Sequence, residues 1–116
     1  MRWILIGILF SVAASAQMPT KPPGASFMDD MAIAMKRMDK DMAAASATGD
    51  VDHDFAQMMI PHHRGAIDMA KSELLYGKDP VMRRLAQEIL VDQQSEIDAM
   101  DLWLKKHAGS KIRELK

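Results

Sequence analysis

The chain has 116 residues, a formal net charge of −1, no cysteine, and twelve methionines against only six aromatic side chains (three Phe, two Trp, one Tyr). That length suits one domain with one modest core, and the near-neutral charge argues against nucleic acid or an anionic membrane surface as a partner. Without cysteine there is no disulfide staple, so stability must come from helix packing, a bound metal or a partner chain.

The first element is MRWILIGILFSVAASA, residues 1–16. Arg2 precedes a short apolar run from Trp3 to Val12, and Ala14-Ser15-Ala16 supplies a small-x-small cleavage pattern. The apolar run is too short for a comfortable membrane span. It is read as a signal peptide cut after Ala16, which places the mature chain in the periplasm or outside the cell, with no membrane insertion after cleavage. Residues 17–25, which contain MPTKPPGA, form a proline-rich tether.

The first helix is expected over 26–47. Ser26 can cap its first turn with Asp29 as the reciprocal acid, and Gly49 ends it. Met28, Met31, Met35, Met38 and Met42 recur at steps of three and four and make one stripe. Core packing is the ordinary explanation of such a stripe. It becomes informative through what faces it.

The second helix is expected over 52–76, with Asp52 and Asp54 at the positive end of its dipole and Gly77 as its stop. Pro61 lacks an N–H and crowds the preceding turn, so a kink near Gln57 and a plain bend both stand open. Met58, His62 and Met69 share a narrow arc, and Met59, His63 and Ala70 lie beside it. Met58 with His62, and Met59 with His63, are pairs four apart that stack on a helix surface.

The third helix is expected over 79–107. Asp79 caps it, Pro80 takes the first position, and Lys105, Lys106 and His107 suit its negative end. Residues 109–116 form a polar tail. Its apolar face carries Met82, Leu85, Ile89, Met100 and Trp103. Gln93 and Glu96 fall on that same face, where polar groups need partners, and His62 or His63 is the natural one.

Both connections are short, which makes neighbouring helices antiparallel. The fold class is therefore all-α, three long antiparallel helices. Counting back from the turns puts His62 between Met35 and Met38 on helix one and between Gln93 and Glu96 on helix three, with Met58 near Met38, Met42 and Met100. Thioether sulfur is neutral and soft; it suits Cu(I) and Ag(I) and offers little to zinc, calcium or magnesium. Imidazole suits copper in either oxidation state. Glu96 can accept the free ring N–H of a ligating histidine and fix its orientation. Repeated Glu-x-x-His for a di-iron bundle is absent, as are His-Glu-x-x-His and a complete calcium loop after Asp50.

The runs MMIPHHRGAIDMA and DPVMRRLAQEILVDQQSEIDAMDLWL resemble the bacterial domain-of-unknown-function 305 family, across nearly all of the mature chain. The resemblance implies an exported or anchored helical protein with a ferritin-like bundle, akin to periplasmic copper-binding proteins tied to copper tolerance. It implies Met59, His62, His63, Met69 and Met100 as ligands. Helix one holds only methionine where similar sequences often place histidine, which favours Cu(I) or Ag(I) over Cu(II). Three long helices are fewer than a ferritin-like bundle has, and a second chain in a homodimer would supply the remainder.

The expectation is an exported metal-binding protein, not an enzyme, that binds copper or silver and buffers it or hands it to a delivery or efflux partner. Met38, Met58 or Met59, His62, His63 and Met100 would hold the ion, and Gln93 and Glu96 would orient ligands. The alternative is a structural or interaction domain whose methionine faces serve packing or dimerisation. A copper oxidase or reductase is a third reading.

Overall fold

A computed structural model of the chain describes residues 23–108; the expected leader at 1–16, residues 17–22 of the tether and the tail at 109–116 lie outside the described residues. The described chain is an all-α, three-helix bundle with no strand: α1 (Pro23–Ala43), α2 (Val51–Tyr76) and α3 (Pro80–His107). None of these helices is long and apolar enough to cross a membrane.

Two helices start where their capping residues indicate. Asp79 accepts from the amides of Val81 and Met82 at 2.9 and 3.0 Å. Asp50 accepts from Asp52 and His53 at 3.1 and 3.2 Å. The last carbonyls of a helix have no partner within it. Here Arg83 reaches back from α3 and donates to the carbonyls of Leu74 and Gly77 at 2.6 and 3.0 Å. Helix α2 runs through Pro61 without interruption.

Helix α1 departs from expectation at both ends. It opens at Pro23, so residues 23–25 are helical and Ser26 lies inside the first turns, not at the cap. Proline is pre-set for a first helical turn and loses no bond there. The helix ends at Ala43, not near Ala47, because the following residues have another acceptor. The Asp54 carboxylate collects the Thr48 amide at 2.9 Å, the Thr48 hydroxyl at 2.7 Å and the Gly49 amide at 3.1 Å. Gly49 turns the chain at φ +86°, a conformation open to glycine without a Cβ clash. The same bonds, those from Thr48 foremost, hold the Asp54 carboxyl down from 3.8 to about 2.

Helices α1 and α3 both pack on α2 without close backbone approach to each other, and side chains of both border common hollows. Contacts run in opposite order along each pair, so both pairings are antiparallel: Arg37–Asp68 and Asp30–Ser72 across α1 and α2, Glu96–His63 and Arg83–Leu74 across α3 and α2. Among the described residues, the buried cluster is Ile60, Ile67 and Ile97, with Leu90, Met100 and Leu104 around it. It belongs to the α2–α3 seam. The α1–α2 seam is thinner. Ala34 is buried there, and Met38 lies on Gly65 so tightly that a Cβ on Gly65 would sit 2.8 Å from the Met38 sulfur.

That contact corrects the expected height of helix one. Met38 stands opposite Gly65 and not beside His62, a displacement of about one turn, because the Thr48–Asp54 connection is longer than a tight turn after Ala47. The methionine stripe is also rotated off the contact line that Asp30, Ala34 and Arg37 define. Met28 and Met35 are exposed, whereas Met31, Met38 and Met42 are half-buried.

With its neighbours on either side, α2 keeps two open strips. One is polar and is bordered by Arg37, Asp41, Arg64, Lys71 and Gln94. The other is apolar and carries the hollows lined by Phe55, Met59 and Met100 at one end and by Met31, Met69 and Met82 at the other.

Candidate metal centre

Met59 and His63 stand one turn apart on α2, and Glu96 and Met100 stand one turn apart on α3. Such spacing puts each pair on one face of its helix. Antiparallel packing brings the two pairs to one hollow of about 390 Å³, lined by Phe55, Met59, His63, Glu96, Ala99 and Met100. His63 is only 6 % exposed. Its Nε2 lies 2.5 Å from Oε2 of Glu96, whose side chain is 58 % exposed.

The two ring nitrogens of His63 have different fates. A neutral imidazole has one N–H donor and one lone-pair acceptor. A carboxylate accepts, so the bond to Glu96 assigns the proton to Nε2. Nδ1 is then a lone pair, and it is buried with no hydrogen-bond partner. Leaving such a group buried and unpaired costs on the order of 1–3 kcal/mol. A cation bound at Nδ1 would remove that cost, and the Glu96 bond would hold the ring in the tautomer and orientation that binding requires. The groups that line the hollow are one imidazole, two thioethers and the Glu96 carboxylate that pairs with the imidazole; the imidazole and thioethers suit a soft monovalent ion of the copper group. The residues present therefore fit such an ion.

The other expected site residues are elsewhere. His62 is exposed, its ring edge-on to His63 with centroids 6.1 Å apart. Met58 is 38 % exposed. Met38 rests on Gly65 and borders the polar strip with Arg37, Asp41 and Arg64. Met69 lines a different groove, with Met31 and Met82. Gln93 is half-buried and bonds to neither histidine. No α1 residue borders the His63 hollow.

Two residues of the hollow were not singled out as site residues from the sequence. Phe55 lies two turns before His63 on the same face, and Ala99 lies one turn after Glu96; the helical period alone indicates both. Among the described residues, no three His, Asp or Glu side chains gather as a metal-binding cluster.

Fold and hollow together define an all-helical chain in which a buried histidine, paired with an exposed carboxylate, lies among thioethers. The chain belongs to the family described as Domain of unknown function (DUF305), whose model matches residues 6–104. It is also similar to Uncharacterized protein L153 of Acanthamoeba polyphaga mimivirus, 42 % identical over 50 residues that make up 43 % of this chain and 33 % of that protein. The matched stretch thus spans about a third of the relative's length.

Proposed function

We propose that the protein binds a soft monovalent metal ion, Cu(I) or Ag(I), through His63, Met59 and Met100, with Glu96 as the residue that orients His63. The reading is carried by two observations on His63: its Nδ1 is buried and partnerless, and the residue lines a hollow together with two methionines. The function is carriage of the ion as cargo, to buffer it or pass it on, without covalent chemistry. A leader at residues 1–16 would put this activity in the periplasm or outside the cell, where thioether ligands bring no disulfide hazard. The ferritin-like relationship and the link to copper tolerance belong to the same proposal.

The test is an anaerobic silver titration followed by NMR at the His63 ring nitrogens and the methionine methyls. Silver should shift Nδ1 of His63 together with the methyls of Met59 and Met100, and His63→Ala should abolish the shifts at both methyls. An unmoved His63 ring at saturating silver overturns the reading.

A second reading, an interaction domain, is favoured by one observation: Phe55, Met82 and Leu85 are 60 %, 47 % and 46 % exposed on the apolar strip, and contiguous apolar surface marks contact sites. On that reading sedimentation shows a concentration-dependent homodimer, and silver shifts no His63 resonance.

A further inference from the structure

We propose that Met38 is a reversible oxidation site whose sulfoxide releases α1 from α2. This redox latch goes beyond the ion-carrying reading and uses none of its residues. Along α1, Met28 and Met35 are 63 % and 50 % exposed, whereas Met38 is half-buried and seated on the buried Gly65. A Cβ added to Gly65 would lie 2.8, 3.0 and 3.1 Å from the sulfur, Cβ and Cγ of Met38. The space that a side chain at Gly65 would need is already filled by the thioether.

The same methionine also borders open space. It lines a hollow of about 210 Å³ in which Arg37, Arg64 and Lys71 stand against Asp41 and Asp68. Three basic side chains to two acidic ones favour the approach of an anionic oxidant. With hypochlorite, the sulfur lone pair takes up the oxygen as the O–Cl bond breaks and chloride leaves; sulfur is oxidised by two electrons, chlorine is reduced by two, and no proton is needed. The product is polar, larger by one oxygen atom, and reducible back to the thioether. At the exposed Met28 and Met35 that oxygen is solvated and disturbs no contact between helices. At Met38 it has to be held against Gly65, where a polar group without a hydrogen bond is costly and added volume pushes the helices apart. The ties beside it are light: the small Ala34, the Asp30–Ser72 bond at 3.3 Å and the Arg37–Asp68 pair at 3.0 Å. A helix set free from its neighbour is only marginally stable in water, so α1 frays while α2 and α3 stay packed.

The experiment treats the full chain with graded hypochlorite, quenches it, and reads sulfoxide at each methionine by peptide mass spectrometry and hydrogen–deuterium exchange along α1 in the same samples. Exchange of the α1 amides should quicken by about tenfold or more, in step with sulfoxide at Met38 and not with the earlier oxidation of Met28 and Met35, while α2 and α3 keep their protection. Methionine sulfoxide reductase should restore the slow exchange. In Met38→Leu, which nearly conserves volume, the same dose should leave α1 exchange unchanged although Met28 and Met35 are oxidised. The proposal is overturned if α1 keeps its protection with Met38 fully oxidised, if α1 loosens equally in Met38→Leu, or if Met38 reacts only after α2 and α3 have lost their protection. Should Met38→Leu by itself loosen α1, the wild-type series still decides, because occupancy at Met38 and exchange along α1 are followed together.

Discussion

Against α3, helix α2 sets Ile60, Ile67 and a buried histidine; against α1 it sets Gly65, Pro61 and a serine that bonds to Asp30. The first seam buries large side chains and leaves a hollow beside them. The second seats the Met38 side chain on a residue that has none of its own and is flanked by the Arg37–Asp68 ion pair at 3.0 Å. Partly exposed pairs of that kind contribute only about 0–1 kcal/mol. The difference teaches where each seam can tolerate sulfur. Beside the isoleucines a methionine can border an open hollow, whereas on Gly65 a methionine is itself the packing.

The largest break in this contrast should come from Ile97→Ala. It empties the one large buried side chain that α3 supplies and should cost about 2–5 kcal/mol by chemical denaturation, a large share of the roughly 5–15 kcal/mol that a domain usually has. Next comes Gly65→Val, whose branched side chain enters the space of Met38. We expect a loss of about 1–3 kcal/mol, with part of it recovered when Met38→Ala is added; independent, additive losses in that double-mutant cycle would deny that Met38 is the contact. The smallest effect is local. The Asp54 carboxyl is depressed from 3.8 to about 2, so its bonds to Thr48 and Gly49 stabilise the connection above the ordinary value and are lost as pH falls through the folded one. Amide exchange at Thr48 and Gly49 should therefore quicken over that acid interval, and Asp54→Asn should flatten the response.

Much of this was legible in the sequence because it is local or periodic. Asp79-Pro80 and Asp50 mark helix starts through bonds that span two or three residues. Glu96 was legible as a histidine partner because a carboxylate on an apolar face needs one, and antiparallel counting across the short α2–α3 connection set its height. The same counting missed on α1, because Asp54 draws the chain away from the helix through bonds that reach five and six residues back. That longer connection moved Met38 from the histidines to Gly65. Face assignment separated neighbours that the sequence lists side by side: His63 turns inward and His62 outward, one hundred degrees apart by helical geometry. Only the packed arrangement showed that Met69 lines a groove with Met31 and Met82.

Because α1 and α3 each make their backbone contacts with α2, each of these two pairings is closed by a single short connection. Assembly reduces to two hairpins that share one helix, a topology of low contact order that folds in the microsecond-to-millisecond range in helical proteins. The α2–α3 hairpin holds the isoleucines and should form first, with α1 docking afterwards. A truncated chain without α1 should accordingly keep most of the α2–α3 exchange protection, and loss of that protection would make the first hairpin a partner in folding, not a late addition.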